Sequence, residues 1–245
     1  MSSDKVSGVS LKELAKPKYR NVKMNCDELL HPKLEEFPMI KDAFSTNSFN
    51  VVCGKMGQGK TSWITNLVKH DFKKVFEYII LIMPESSRQS IDNDIFGKNL
   101  PPDQLYDDLS ESILTDIYAQ LQEHSAEEHN TLLVIDDFQP KLKDPDIAKV
   151  LEKIIIKTRH LHCTTFYLVQ NFQKVPKSIR ELAFNLVLFN IGKSQLLKVF
   201  EEVIQMKKDK FEAIIDLCYK DPHDWILINL HRSKNIYRNY DLVLF

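Results

Sequence analysis

Residues 54–61 read Gly-Lys-Met-Gly-Gln-Gly-Lys-Thr, a complete match to the phosphate-binding loop pattern GxxxxGKS/T. An apolar, β-prone run precedes the loop at residues 49–53, and apolar residues recur at helical spacing behind it over residues 63–68. A glycine-rich turn from a strand into a helix aims backbone N–H groups at the oxygens of a bound phosphate. The segment therefore predicts a nucleotide site, and the flanking elements argue against a chance match by a glycine-rich turn.

The loop residues have distinct predicted roles. The Lys60 ammonium would reach the β- and γ-phosphates and is the first predicted catalytic group, while the Thr61 hydroxyl would ligate Mg²⁺. The residues predicted to contact the nucleotide are Gly54, Lys55, Met56, Gly57, Gln58, Gly59, Lys60, Thr61 and Ser62. The predicted cofactors are therefore ATP and Mg²⁺.

A second motif supplies carboxylates. Residues 131–137 read Thr-Leu-Leu-Val-Ile-Asp-Asp, the form of a Walker B strand. Asp136 would hold Mg²⁺ opposite Thr61, and Asp137 would orient or deprotonate the attacking water. Taken alone, a strand followed by two aspartates is common, and a turn or a helix cap is the alternative. The apolar run at residues 165–169 ends similarly at Gln170, which either positions water or is an ordinary polar strand end.

Hydrophobic periodicity predicts the remaining elements. Strands are predicted at residues 49–53, 78–83, 131–135, 165–169 and 186–189, most of them continuous apolar runs typical of a parallel sheet. Helices are predicted at residues 61–70, 103–123, 144–158, 194–204 and 210–219, with Asp144 as the cap of the third. Residues 225–230 and 236–244 predict a C-terminal β-hairpin, and residues 84–102 a long loop. The fold class is α/β, with an N-terminal arm at residues 1–35 and an ATPase domain at residues 36–245.

Composition restricts the partners. The sequence has no apolar run of about 18 residues and no recognisable signal peptide, which favours a soluble, intracellular protein with no membrane partner. A formal net charge of −1 provides no overall basic field, so any contact with DNA must be local. The basic candidates, each of which could equally be a solvated surface, are Lys12, Lys16, Lys18, Arg20, Lys23, Lys207, Lys208, Lys210, His231, Arg232 and Lys234.

Residues 158–180 narrow the choice of family. They read Thr-Arg-His-Leu-His-Cys-Thr-Thr-Phe-Tyr-Leu-Val-Gln-Asn-Phe-Gln-Lys-Val-Pro-Lys-Ser-Ile-Arg. With the two Walker motifs, they resemble the viral genome-packaging ATPases of the FtsK–HerA superfamily, found in poxviruses, giant viruses and virophages, and the chain length looks most like the virophage form. The resemblance covers about residues 45–244. It implies a RecA-like (ASCE) P-loop NTPase fold, in which the Gln170 strand lies between the phosphate-loop strand and the Walker B strand.

The resemblance also implies a function. It implies an ATP-driven double-stranded DNA translocase that packages a viral genome into a preformed capsid, assembled as a hexameric or pentameric ring that contacts capsid or portal proteins. The implied location is the host-cell cytoplasm, in the viral factory, or the virion. In such rings Gln170 would be the polar sensor, and a neighbouring subunit would supply an arginine finger. Arg159 is the first candidate for that finger and Arg180 the second, with a surface salt bridge as the alternative for each.

Two other functions stay open at this point. A phosphate loop also serves small-molecule kinases, although no Arg-rich lid is evident between the fourth and fifth strands. A nucleotide-dependent switch is the third possibility, against which Asp137 and Gln170 argue. The sequence also departs from related ATPases in having Asp137 where many have glutamate, and its near-neutral charge predicts weak DNA binding by a single subunit.

Overall fold

The computed structural model describes residues 5–6, 9–14, 43–44, 46–72, 75–89, 91, 100–231 and 235–244. In these ranges the strands are β1 (Lys5–Val6), β2 (Val9–Lys12), β3 (Phe49–Cys53), β4 (Tyr78–Ile82), β5 (Leu105–Tyr106), β6 (Thr131–Asp136), β7 (Cys163–Val169), β8 (Asn185–Phe189), β9 (Trp225–Asn229), β10 (Ile236–Arg238) and β11 (Asp241–Leu244). The α-helices are α1 (Lys60–Asn66), α2 (Glu85–Gln89), α3 (Glu111–Ala126), α4 (Pro145–Ile156), α5 (Lys177–Arg180), α6 (Lys193–Val203) and α7 (Lys208–Cys218). Short 3₁₀ turns lie at Pro102–Gln104, Gln139–Lys143 and Phe172–Lys174.

The described strands form one sheet in the order β1-β2-β11-β10-β9-β8-β3-β7-β6-β4-β5. Neighbouring strands are parallel from β8 to β5, and β9, β10, β11, β2 and β1 add antiparallel pairs on the other side. Strand β7 lies between β3 and β6, which is the order that the family resemblance implies. The predicted α/β fold with a parallel central sheet is therefore confirmed, and its antiparallel part is larger than predicted.

Alternate side chains of the parallel strands enter two apolar cores, one on each face of the sheet. Val51 and Cys53 of β3 belong to the core that includes residues of α3, α4, α6 and α7. Val52 of the same strand belongs to the other core, with Trp63 and Ile64 of α1. Because successive strand residues point to opposite faces, a strand that is covered on both faces is apolar over most of its length. This is why the continuous apolar runs predicted the central strands.

Most predicted elements are present. The five predicted strands, together with α6 and α7, lie within two residues of their predicted bounds. Helix α4 begins after Asp144, as predicted, and the Asp144 carboxylate accepts a hydrogen bond from the Asp146 backbone N–H at 3.0 Å. The α4 side chains in the core are Ile147, Val150, Leu151, Ile154 and Ile155, with Val150 partly buried.

Three predicted elements differ in extent. The helix predicted over residues 103–123 begins only at Glu111, because residues 105–106 pair with β4 as strand β5 and Ser110 caps the helix. The helix predicted over residues 61–70 is α1 followed by a π-helical turn at Leu67–Asp71. The predicted hairpin is present as β9 and β10, but its second strand turns back at Asn239 into β11. Asn239 has a left-handed backbone (φ 51°), which asparagine adopts more readily than most residues.

The N-terminal part of the chain joins the sheet through β2. This strand pairs with β11, and its Val9 side chain is buried. The predicted boundary between the arm and the ATPase domain falls within residues 15–42, which lie outside the described residues, so that division stays a prediction. The loop predicted at residues 84–102 contains α2, and its residues 92–99 also lie outside the described ranges.

Three buried asparagines form a row across the point where the antiparallel strands join the parallel ones. Asn50, Asn185 and Asn229 are register partners on β3, β8 and β9. The Asn185 amide donates to Asn50 Oδ1 at 2.7 Å and to the Ala43 carbonyl at 2.6 Å. Its oxygen accepts a hydrogen bond from Asn229 Nδ2 at 3.1 Å. Because a slip of one residue would leave buried amides unpaired, this row fixes the register of β8 and β9 against β3.

We expect Asn185→Ala to lower the free energy of unfolding by about 3 kcal/mol, because it leaves the partners of three buried hydrogen bonds unpaired. The midpoint of urea denaturation measures this change. Asn66→Ala, which alters an exposed asparagine at the end of α1, is the control and should leave the midpoint nearly unchanged. Equal midpoints for the two variants would contradict the role of the row in fixing register.

Candidate active site

The phosphate-binding loop connects β3 to α1, and its backbone requires glycine at three positions. Gly57 and Gly59 have φ angles of 76° and 93°, a left-handed conformation that is strained for residues with a side chain. Gly54 has no such angle, but a Cβ atom there would lie 2.8 Å from the Cβ atom of Phe189 at the end of β8. The glycines of the sequence pattern therefore shape the loop and let it approach β8 closely.

A hydrogen bond within the loop holds the Lys60 side chain, and the outer residues of the loop are exposed to solvent. Lys60 Nζ donates a hydrogen bond to the Lys55 carbonyl at 3.2 Å, which folds the lysine side chain across the loop. Met56 is 81% exposed, and Lys55, Gly57 and Ser62 are exposed as well. An ammonium group and backbone amides thus lie together at a surface that an anion can reach from solvent.

The end of β6 meets the start of α1 through one hydrogen bond. Thr61 Oγ1 donates to Asp136 Oδ2 at 2.7 Å, and Asp136 is only 4% exposed. Burial raises the pKa of Asp136, whereas the Thr61 hydrogen bond and the Lys60 charge lower it in part. A hydroxyl and a carboxylate are oxygen ligands of the kind that Mg²⁺ prefers.

Thr61 and Asp136 fit a magnesium ion that takes its other ligands from the phosphates of a nucleotide and from water. Mg²⁺ usually takes one or two protein oxygens and completes its shell with phosphate oxygens and water. Among the described residues, no group of three His, Cys, Asp or Glu side chains could hold a metal ion by itself. Thr61 and Asp136 would therefore hold the ion only together with bound phosphates.

The next residue, Asp137, carries a second carboxylate. Its backbone is left-handed (φ 65°), and its Oδ1 accepts a hydrogen bond from Gln170 Nε2 at 2.8 Å. Both side chains are exposed to solvent. The pair brings a base and a neutral hydrogen-bond donor together beside the phosphate loop, where a water molecule has access.

A second link, which no pattern in the sequence indicates, joins the loops after the same two strands. The Gln139 side-chain amide donates to the Asn171 carbonyl and accepts from the Asn171 backbone N–H, the latter at 3.1 Å. Gln139 is 8% exposed, and both bonds are partly buried. Gln139 and Asn171 follow Asp137 and Gln170 closely in sequence, but only the adjacency of β6 and β7 brings them together. The reciprocal pair ties the loop after β6 to the loop after β7.

Arg180, the second finger candidate, is bound within its own chain. Its Nε lies 2.6 Å from Glu202 Oε1, and its Nη1 donates to the carbonyls of Gln173 and Val175 at 3.1 and 3.0 Å. Its side chain is 14% exposed. These contacts brace the segment after Gln170 against α6, as the salt-bridge alternative for Arg180 predicts.

Arg159, the first candidate, is placed differently. It is exposed and makes no hydrogen bond or ion pair with any residue in the described ranges. It lies in the turn before β7, whose backbone bonds join Leu161 to Lys157 and Cys163 to Thr158. This turn is at the amino end of β7, whereas the phosphate loop faces the carboxyl end, about 20 Å away at 3.3 Å per residue. Arg159 therefore cannot reach the phosphate loop of its own chain.

The predicted basic segments are only partly described. Lys12, Lys207, Lys208, Lys210 and His231 are exposed. The others lie outside the described residues, namely Lys16, Lys18, Arg20, Lys23, Arg232 and Lys234. Their contact with DNA stays a prediction. No helix in the described ranges is long and apolar enough to cross a membrane.

Comparison with known proteins decides the family. A sequence model described as the poxvirus A32 protein matches residues 37–228, which is more than half of the chain. The chain belongs to the poxvirus A32 protein family. This match confirms the resemblance to viral genome-packaging ATPases that residues 158–180 predict. No curated protein matches the sequence.

Solved structures support the fold assignment of this A32 family member. The DNA-packaging ATPase B204 from Sulfolobus Turreted Icosahedral Virus superposes with a TM-score of 0.58 at 15% identity, over 80% of this chain and 98% of that one. The genome packaging NTPase B204 from Sulfolobus turreted icosahedral virus 2, in complex with ATP-gammaS, gives a TM-score of 0.55 at 17% identity over 78% and 95%. The cytoplasmic domain of the type VII secretion ATPase EccC from Thermomonospora curvata gives 0.51 at 13% identity over 78% and 25%. At these identities the likeness establishes the P-loop ATPase fold.

We expect Gln139→Ala to lower kcat for ATP hydrolysis by about 10- to 100-fold, because misplacing a catalytic group by a fraction of an ångström to one ångström has effects of this size. The affinity for ATP should stay within about twofold, since Gln139 does not contact the phosphate loop in the described residues. Steady-state kinetics and equilibrium binding measure the two quantities separately.

Gln120→Ala is the matched control, because it removes a glutamine that donates to Tyr106 Oη at 2.8 Å on α3, away from the site. The control should keep its kcat. A kcat that is equally unaffected in Gln139→Ala would mean that the reciprocal pair does not position Asp137 and Gln170.

Proposed function

We propose that this chain is an ATP-driven double-stranded DNA translocase that packages a viral genome into a preformed capsid. The observation that carries the proposal is the convergence of two pairs at the phosphate loop, Thr61 with Asp136 and Asp137 with Gln170. The first pair suits Mg²⁺ coordination and the second suits the activation of water. Membership in a family of viral genome-packaging NTPases supports coupling this hydrolysis to DNA movement.

Each residue has a role in the proposed reaction. Backbone N–H groups of residues 54–62 and the Lys60 ammonium bind the phosphates, and Mg²⁺, when bound, would neutralise charge that develops on them. Asp137 accepts a proton from the attacking water, and Gln170 holds Asp137 and the water in line. Burial raises the pKa of Asp136, so its metal-binding carboxylate form is lost at a higher pH than for an exposed aspartate.

The DNA partner and the ring are part of the same proposal. A single subunit has a net charge of −1 and is expected to bind duplex DNA weakly. Several subunits around a central pore would sum small numbers of phosphate contacts, which raises affinity steeply. The proposed assembly is a homo-oligomeric ring that works with capsid or portal proteins in the host-cell cytoplasm or at the virion.

Two alternatives have less support. A small-molecule kinase needs cationic side chains that close over the phosphates, but Arg180, between β7 and β8, is held by Glu202 and two carbonyls. A slow nucleotide-dependent switch needs no carboxylate held by an amide beside the phosphate loop.

Duplex DNA should raise the ATPase rate of the purified protein several-fold. The Lys60→Ala variant should hydrolyse no ATP with or without DNA, because it lacks the charge that meets the β- and γ-phosphates. Asp137→Asn should bind ATP without turnover, whereas Asp136→Asn should bind it with reduced Mg²⁺ dependence. A rate that depends on a small phosphate acceptor indicates a kinase instead, and a slow rate that DNA leaves unchanged indicates a switch.

Arg159 is the proposed trans-acting finger. It is unpaired within the described residues, and it lies at the amino ends of the parallel strands, whereas the phosphate loop of its own chain lies at their carboxyl ends. A finger that neutralises the transferring phosphoryl group typically contributes roughly 10³–10⁵ to the rate. We expect Arg159→Ala and Lys60→Ala each to be inactive alone and to recover part of the activity when mixed, since some junctions then combine an intact Lys60 with an intact Arg159.

Gel filtration of the mixture must first establish that the two variants assemble together. Arg180→Ala mixed with Lys60→Ala is the comparison, and its recovery alone would assign the finger to Arg180. If co-assembled Arg159→Ala and Lys60→Ala stay inactive at every ratio while wild-type and Lys60→Ala mixtures are active, Arg159 is not the finger.

A further inference from the structure

A rigid turn at residues 220–224 leads into β9 beside the phosphate loop. Asp224 organises it: Oδ2 accepts hydrogen bonds from the backbone N–H groups of Lys220 and Asp221 at 3.0 and 2.9 Å. Arg238 Nη2 donates to the same oxygen at 3.0 Å, and Asn239 Nδ2 donates to Oδ1 at 2.7 Å. Burial acts to raise the pKa of Asp224, but these hydrogen bonds outweigh it and hold the pKa below its usual range. The ionised carboxylate thus fixes the turn against the end of β10.

The turn places the His223 imidazole against the phosphate loop. His223 Nδ1 lies 3.3 Å from the Gln58 carbonyl oxygen and 3.6 Å from the position of a Cβ atom built on Gly59. A carbonyl oxygen only accepts, so Nδ1 carries the hydrogen in this contact. In the neutral ring Nε2 is then an acceptor, and His223 is exposed, so that acceptor is accessible from solvent.

His223 also lies on a defined side of the loop. Asp136, Asp137 and Gln170, which would face the terminal phosphate, come from β6 and β7 on one side of β3. Residues 220–224 precede β9, which lies beyond β8 on the other side. A triphosphate whose terminal phosphate lies at the carboxylates therefore directs its nucleoside towards β8, β9 and His223.

We propose that His223 contacts the nucleoside of the bound nucleotide, its Nε2 accepting a hydrogen bond from a ribose hydroxyl or from the exocyclic amino group of the base. This inference rests on the proposed function, because it takes the orientation of the nucleotide from the roles of Asp136 and Asp137. It adds a residue that no phosphate-loop pattern includes, and it makes affinity depend on the nucleoside as well as on the phosphates.

Binding of Mg-ATPγS to the full chain, measured by calorimetry, tests the inference with two variants. His223→Ala removes both ring nitrogens. His223→Asn keeps an amide donor near the position of Nδ1, for the Gln58 carbonyl, but has no group in place of Nε2.

We expect both variants to weaken Mg-ATPγS binding by about 3- to 10-fold, the size of one neutral hydrogen bond. Both should bind Mg-tripolyphosphate, which has no nucleoside, as tightly as the wild type does. His129→Ala is the control and should match the wild type, because His129 lies before the amino end of β6, away from the phosphate loop.

Three nucleotide analogues identify the donor group. If the ribose 2′- or 3′-hydroxyl donates, the corresponding 2′-deoxy-ATP or 3′-deoxy-ATP binds the wild type more weakly than ATP does, and His223→Ala removes the difference. If the amino group of the base donates, inosine triphosphate behaves in this way instead. Differences that His223→Ala leaves in place for all three analogues overturn the proposal.

Other outcomes also overturn the proposal. Wild-type affinity of His223→Asn would mean that His223 only holds the loop, and an equal loss for tripolyphosphate would mean that it acts on the phosphates. A wild-type protein that binds neither ATPγS nor tripolyphosphate contradicts the proposed function itself. Normal wild-type binding with unchanged variants contradicts this inference alone.

Discussion

The hydrogen bond between Thr61 and Asp136 is the contact on which the rest of the site depends. It joins the first turn of the helix after the phosphate loop to the end of a strand two places away in the sheet. That contact exists only because β3, β7 and β6 are parallel and end at the same edge. The mostly apolar side chains of these strands, buried on both faces, keep the carboxyl ends in place. The chemistry of the site therefore derives from the packing of the two cores.

Around this contact the structure separates rigid parts from accessible ones. Two hydrogen bonds tie the Gln139 side chain to the Asn171 backbone, and Arg180 braces the following segment against α6. Asp137 and Gln170, one or two residues away, remain exposed. In the proposed reaction this frame would hold Asp137 and Gln170 in place, so that they need little rearrangement as charge develops. The same division applies across β3, where buried Asp224 holds the exposed His223.

Much of this arrangement is visible in the sequence, for identifiable reasons. The loop at residues 54–61 is a local pattern, and a mostly apolar composition indicates the central strands. Only the family resemblance predicts that β7 lies between β3 and β6, since no local pattern specifies strand order. The Gln139–Asn171 pair and the His223–Gln58 contact join residues 32 and 165 positions apart, so they depend on which elements become neighbours. Strand β5 lies inside a stretch whose pattern predicts a helix, because two residues are too few to give a strand periodicity.

The left-handed backbone at Asp137 also limits which acidic residue suits this position. Aspartate adopts a positive φ angle more readily than glutamate does, because its short side chain bonds locally to the backbone. Side-chain length and backbone conformation are therefore linked at this position. An exchange of Asp137 for glutamate would move the carboxylate and strain the turn after β6 at the same time, so the two acids are not equivalent here.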